Sequence, residues 1–426
     1  MRYLIPYVWA CMFWGLSSSV TAAETQFNGY ARAGVGLSAT GGGQVCFGLG
    51  GADSKYRLGN ECDYVIEPTW TAHLVKIDNT SGLGAGSDWG VVVMPKVYRA
   101  WQSAATQATF DNLAVWMGQL YFFGNHIPEL LGGNAWVGRR YYDRFQLFIN
   151  DQFIENEDGD GAGVEDMNIG AARWSLAFLL NPTDGGAQNV KPYKVTTHLI
   201  VPTLKDSDVQ LWLGMYSRSV TEDQSTGAQP ARVYAGPDQY RAGLYNRLRL
   251  EALNGTNVAG VKVEASKTHQ LWRLFMEQGI DLAAGKTSLD FFSEYRSRRD
   301  RSDAGGNVDE HLAWGKTQSW WSIGARADTQ LYGPARLVAD FGHDQTMSPH
   351  QPTQRLDKAT VALALNAGEQ AGSRPTIRLF YTYAWWNSAA RAAGGVFDSG
   401  SGTMLRQVYG NSSSGSTLGV QGEAWW

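Results

Sequence analysis

The sequence predicts an all-β chain closed into an antiparallel barrel that crosses a membrane. Three observations carry that prediction. Short segments alternate apolar and polar residues with a period of two. Beyond the N-terminal stretch, no apolar run reaches the roughly 18 residues that a spanning helix needs. Glycine and aromatic residues are abundant, with 50 Gly, 17 Trp and 12% aromatics among 426 residues. A bilayer forces every backbone N–H and C=O to find a partner inside the protein, which only helices and closed barrels achieve. With helices excluded by length, the alternation reads as an apolar wall toward lipid around a polar lumen.

Taken in chain order, the first element is an export signal. Arg2 is its positive flank, Leu4 to Leu16 its apolar stretch, and Thr21-Ala22-Ala23 its small-residue cleavage site. The expected division is therefore a signal peptide over 1–23 and a single barrel domain over 24–426. Cys11 lies inside the apolar stretch and leaves with it. Cys46 and Cys62 remain, and in an exported chain such a pair is expected to form a disulfide closing a surface loop.

Three strands can be read by parity. Phe27, Gly29, Ala31, Ala33, Val35 and Leu37 share one face, opposite Asn28, Tyr30 and Arg32. Ile377, Leu379, Tyr381 and Tyr383 face away from Thr376, Arg378 and Thr382. Leu418, Val420, Gly422, Ala424 and Trp426 oppose Thr417, Gln421, Glu423 and Trp425. A sandwich in water also alternates, but small outward residues such as Gly29 and Ala31 would fill a packed core poorly. The pairs Trp320-Trp321, Trp385-Trp386 and Trp425-Trp426 suit aromatic girdles at the membrane interfaces.

The acidic, Gly-rich stretch Asn156 to Gly163 does not fit the ligand spacing of a calcium loop. A solvated loop and a loop folded into the lumen remain open for it. A formal charge of −4 with no basic run argues against a nucleic-acid partner. Neither a phosphate-binding loop, a metalloprotease motif nor a serine nucleophile elbow occurs, and the seven histidines lack metal-ligand spacing. No enzyme activity, cofactor or metal is expected, although the carboxylates near Asp151 and Glu155 raise a glycosidase alternative.

Residues 27–62 closely resemble the N-terminus of the maltoporin family of sugar channels. The matching text is Phe27-Asn-Gly-Tyr-Ala-Arg-Ala-Gly-Val-Gly36, Gln44-Val-Cys-Phe47 and Ser54-Lys-Tyr-Arg-Leu-Gly-Asn-Glu-Cys62. Further blocks are Trp136 to Arg144, Gly161 to Gly170, Ser373 to Phe380 and the closing Gln421-Gly-Glu-Ala-Trp-Trp426, while 180 to 340 does not align. The resemblance implies an 18-stranded antiparallel outer-membrane barrel, usually a homotrimer, with one long loop folded inward to constrict the pore. For the stretch around Asn156 it favours that inward loop. It also implies a path of lumenal rings flanked by a polar track along which sugars slide. Tyr30 and Trp425 match ring positions, and Arg32, Arg57, Glu67, Arg144 and Asp151 match the track.

Several positions depart from the family pattern. Its constriction tyrosine corresponds to Phe153, a lumenal tyrosine to Val65, an aromatic to Gly372 and an arginine to Met117. Trp101 is a candidate for a loop ring reaching a neighbouring subunit. The expected cargo is maltose or maltodextrins, or a related oligosaccharide or glycoside, and with fewer rings a smaller or different glycoside is a live option beside long maltodextrins. The alternatives are a general porin for small hydrophilic solutes and a secreted sugar-binding β-protein.

Overall fold

The protein is described by a computed structural model covering residues 24–53, 55–78, 81–100, 114–180, 193–217, 239–266, 269–300 and 317–426. The expected signal peptide and Trp101 lie outside these residues.

The barrel opens with β1 (Glu24–Ser38), followed by the short β2 (Phe47–Leu49) and then β3 (Asp63–Lys76), β4 (Asp88–Ala100), β5 (Ala114–Ile127) and β6 (Gly133–Arg140). A small hairpin, β7 (Phe145–Leu147) and β8 (Gln152–Glu155), precedes β9 (Gly159–Ile169), β10 (Ala172–Leu180), β11 (Tyr193–Pro202) and β12 (Asp208–Tyr216). Then come β13 (Gln239–Leu250), β14 (Gly255–Ser266), β15 (His269–Leu282), β16 (Thr287–Asp300) and β17 (Thr317–Tyr332). The chain continues through β18 (Ala335–Met347), β19 (Gln354–Asn366) and β20 (Thr376–Trp386). After α1 (Ser388–Ala392), β21 (Val396–Asp398) and α2 (Leu405–Tyr409), it ends in β22 (Ser414–Trp425). Eighteen of these strands form one sheet. Each pairs antiparallel with its neighbour, and β1 closes the ring between β22 and β3.

Burial is the inverse of that in a water-soluble protein. Val35 is 65% exposed, whereas Arg32, three residues earlier, is 6% exposed. Leu363, Leu379 and Leu418 face outward, while Thr360, Thr382 and Thr417 are buried on the inward face. The faces read by parity in β1, β20 and β22 are the faces the structure shows. Short turns join the strands at one end, including 170–171 and 333–334, whereas 39–62, 141–158 and 387–413 are long loops at the other. In an outer-membrane barrel the short turns are periplasmic, so β1 begins and β22 ends at the periplasmic rim.

The tryptophan pairs divide between the two faces, because adjacent residues in a strand point opposite ways. Trp320 is fully buried inside the barrel, its indole N–H donating to Asp344 at 3.1 Å. Trp386 packs inward against Phe47 and Tyr409. Trp385 and Trp426 remain on the outside, the latter against Phe27 at 5.6 Å between ring centroids. One ring of each pair, not both, is available to a girdle.

Two long loops turn into the barrel and supply its interior packing. The first, 39–62, carries the Cys46–Cys62 disulfide, with Cα atoms 6.0 Å apart. The bond forms as expected, but the loop is not a surface one, since both cysteines are buried. Val45, Phe47 and Leu49 pack against Leu356, Ala384 and Trp386 of the wall and against Val396 and Leu405 of the last loop. Burying such side chains contributes about 1.5–3 kcal/mol each. Tyr56 lies flat on the wall where Gly324 and Gly342 sit on β17 and β18. A Cβ at either glycine would overlap its ring.

The second inward loop, 141–158, buries Leu147, Ile149 and Ile154 against Trp212, Tyr245, Phe275 and Phe292. It begins and ends before the Gly-rich part of the acidic stretch. Residues 159–163 belong instead to barrel strand β9, which corrects their reading as loop. Gly161 stands opposite Gly138 of β6, and its Cβ would collide with the Phe178 carbonyl of β10. These glycines serve close strand approach, not loop freedom.

Candidate functional site

Between the second inward loop and the periplasmic rim lies a cavity of about 250 Å³. A ring marks each end of its lining. Phe148, at the tip of the inward loop, is 44% exposed in the lumen and lies between the guanidiniums of Arg57 and Arg326, 5.3 and 5.7 Å from its centroid. Trp425 lines the other end, with Arg374 stacked on its ring at 3.9 Å.

Charges between the rings form two groups, one richer in arginines and one richer in aspartates. On the side of β20, β22 and the first inward loop, Glu423 accepts from Arg57 at 2.9 Å, Arg378 at 2.8 Å and Arg374 at 3.3 Å. Across the cavity, Asp290 and Asp328 come from β16 and β17, together with Arg326, which binds Asp340 at 2.6 Å, while Asp328 is paired with Arg336 at 2.5 Å. Phe148 is held from the wall: the Glu277 carboxylate of β15 accepts its backbone N–H at 2.8 Å and that of Ile149 at 3.4 Å.

The residues expected from sequence fall into three places. Arg57 and Trp425 line the chamber. Tyr30 stands opposite Trp425 in the β1–β22 register. Its hydroxyl donates to Glu423 at 3.0 Å and accepts from Arg32 at 3.0 Å and Arg57 at 3.2 Å. Arg32 sits behind this layer, bound to Glu61 and Asp63 and nearly closed to solvent. A second cavity of about 360 Å³ is lined by Lys96, Trp116, Tyr141, Arg144, Asp158 and Lys194, among others. There Arg144 stacks on Tyr141 at 3.4 Å, binds Asp158 at 2.8 Å and lies 5.2 Å from the ring of Phe153. Glu67 belongs to this second group, paired with Lys96 at 2.6 Å and accepting from the Tyr141 hydroxyl at 3.3 Å. Asp151 lines neither cavity; it is held by Lys55 at 3.1 Å and Gln146 at 2.6 Å, with Arg57 at 3.9 Å.

Of the departures, Val65 pairs with Arg32 on the lumenal face and carries no ring itself, although its partner on the other side is Tyr98 of β4. Gly372 lines the chamber, and a Cβ at that position would meet nothing within 4 Å. Met117 pairs with Pro95, next to the lumenal pair Lys96 and Trp116, which places it on the lipid side. The reading of Met117 as a lost pore residue is therefore corrected. Glu155, one of the two carboxylates behind the glycosidase alternative, is buried against Lys262 at 2.8 Å and Tyr245. It offers no carboxylate to a solute.

Sequence reasoning missed Phe148, Glu277, Arg326 and Arg374 as site residues. Phe148 sits in an irregular loop where no period marks a face, and Glu277 and Arg326 lie in the stretch that did not align. Arg378 and Glu423 were on the polar faces read by parity, but that reading gave no reason to single them out.

Comparison with known proteins agrees with this architecture. The LamB porin family matches residues 25–426. Among solved structures, the outer-membrane protein OpdK of Pseudomonas aeruginosa superposes with a TM-score of 0.51 at 10% identity, over 95% of this chain and 99% of that one. OccK3 (OpdO) of the same organism gives 0.50 at 10% identity, over 95% and 96%. At that identity the likeness extends to the fold alone. The family match runs over nearly the whole chain and coincides with the closed 18-stranded barrel, its inward loops and its charged lumen. The chain accordingly belongs to the LamB porin family and is an outer-membrane channel.

Proposed function

We propose that the channel carries sugars by facilitated diffusion and has no catalytic role. The observation that carries this reading is the chamber in which Phe148 and Trp425 bracket a layer of arginines and carboxylates. A sugar presents an apolar C–H face, which suits a ring, and an edge of hydroxyls, which suits charged donors and acceptors. Transport needs several weak sites in sequence, because one tight site would trap the solute. The second cavity, with Trp116 and Tyr141 beside Lys96 and Arg144, gives an earlier station of the same chemistry nearer the long loops. In this reading Tyr30 and Arg32 set the inner layer in place, Arg57 and Trp425 touch the solute, and Glu67, Arg144 and Phe153 serve the outer station. Asp151 fixes the loop between them. We also propose a homotrimer in outer-membrane lipid, as the family resemblance implies.

A second reading, a general porin for small hydrophilic solutes, draws on the two groups of charge across the chamber and the small number of rings. Uptake into liposomes containing the protein separates the two. A sugar channel shows saturating rates for maltose, sucrose or a β-glucoside, with competition between sugars. Rates that rise linearly with concentration and follow only molecular size would instead establish the general porin.

A further inference from the structure

We infer that the chamber recognises an acidic sugar, one carrying a carboxylate on its ring, in preference to the neutral sugar of the same shape. The inference rests on the sugar-channel reading above and narrows it to a chemical class.

The argument begins with the ions around Glu423. Three guanidiniums, those of Arg57, Arg374 and Arg378, share this one carboxylate. Arg57 also binds Glu61 at 2.8 Å, but Glu61 is already engaged by Arg32, whose other partner is Asp63. Four arginines thus stand against three carboxylates, leaving one positive charge uncompensated within the cluster. Asp151 lies 3.9 Å from Arg57 but belongs to Lys55, at 3.1 Å.

That surplus lies toward the chamber and centres on Arg374. Its side chain is 6% exposed, its Nε is buried without a hydrogen-bond partner, and one of its terminal nitrogens is occupied by the carbonyls of Ala371 and Ser373. Its contact with Glu423, at 3.3 Å, is the longest of the three. Arg374 belongs to the periplasmic turn before β20, outside the spanning strands. Burial, and then the neighbouring Arg378, lower its pKa to about 10, so it stays cationic at neutral pH while lacking a full counter-charge.

Geometry supplies the rest of the recognition. Gly372, beside Arg374 in the same turn, leaves open space where any side chain would project. A solute seated there meets the arginines on one side and Asp290 and Asp328 on the other. A carboxylate in the chamber gains charge-assisted attraction from the arginines that line it, Arg57, Arg374 and Arg378, while hydroxyls on the far edge donate to Asp290 and to the Asp328 oxygen that Arg336 leaves free. An anion of the opposite orientation faces Asp290 and the Arg336-paired Asp328, a poorer setting than the arginine side, so the chamber orients the solute as well as attracting it.

The experiment is single-channel current through the purified full-length protein, titrated separately with glucose, glucuronate, glucuronamide and acetate. Glucuronate and glucuronamide share their shape and differ in charge. The expected result is block by all three sugars, with glucuronate roughly tenfold or more tighter than glucuronamide, the scale of one charge-assisted bond. Arg374→Gln is expected to remove most of that ratio, and Arg374→Lys to keep part of it. Because the readout is a ratio within each open channel, a variant that inserts poorly still gives an answer. Equal affinities for glucuronate and glucuronamide, with neutral sugars still blocking, overturn this inference alone. So does a preference that survives both Arg374→Gln and Arg378→Gln. Block by acetate as strong as by glucuronate makes the site one for any small anion and overturns the sugar class. Absence of block by every sugar brings down the sugar-channel reading and this inference with it.

Discussion

At the scale of single residues, the chamber is organised in part by side chains outside its lining. Glu277 is the clearest case. It reaches from β15 to take the backbone N–H groups of Phe148 and Ile149, fixing where the inward loop places its ring. Leaving a buried donor without an acceptor costs about 1–3 kcal/mol. Glu277→Leu removes the acceptor for both N–H groups and is expected to loosen the loop tip, raising open-channel conductance and adding current noise. Glu277→Gln keeps a carbonyl oxygen in place and is expected to restore most of the quiet, narrower state. A Leu variant with unchanged conductance and noise would show that apolar packing alone holds Phe148.

Among the elements, the first inward loop acts as a strap across the lumen. Tyr56 seats on Gly324 and Gly342, and Asp53 at the far end reaches Arg273 and Arg296 on β15 and β16. Burial raises the Asp53 carboxyl, but the two guanidiniums outweigh it and hold the pKa below the usual carboxylate range. A depressed carboxyl stabilises the docked loop fully above its unfolded pKa, near about 4, and loses that contribution as pH falls through the lower folded value. The part of the open-channel conductance that depends on Asp53 should therefore stay constant from neutral pH down to about 4 and change only below it. Asp53→Asn should abolish that acid transition, and its persistence in channels carrying the substitution would assign it to another carboxylate.

What was legible in the sequence follows the same division by element. Strand faces were readable in β1, β20 and β22 because a lipid-facing wall and a wet lumen impose a strict period of two. The disulfide was readable from two cysteines in an exported chain, but the direction of its loop was not. Whether a loop turns in or out depends on Phe47 and Leu49 meeting Leu356 and Trp386, which lie far along the chain. The Gly-rich segment at 159–163 misled because glycine signals a turn in isolation, whereas here it lets three strands approach closely. The ring pairs misled for the opposite reason, since a strand cannot point two adjacent residues at the same lipid.

For the whole molecule, the parts converge on one physical design. Eighteen strands satisfy the backbone without a free edge, an apolar exterior meets lipid, and two packed loops leave a narrow charged passage with a ring at each end. The barrel and the family follow from the closure of the sheet and the match along the chain. The proposed selectivity for sugars rests on the chamber, and in that proposal Trp425 is the residue on which most depends. Single-channel current in a planar bilayer, titrated with maltose, maltotriose, sucrose and a β-glucoside, tests it most directly. The account predicts saturable block by at least one of these sugars, weakened roughly threefold to tenfold by Trp425→Ala, as expected for loss of one stacking ring. Steady conductance that no sugar blocks, or a block indifferent to Trp425→Ala, would contradict it.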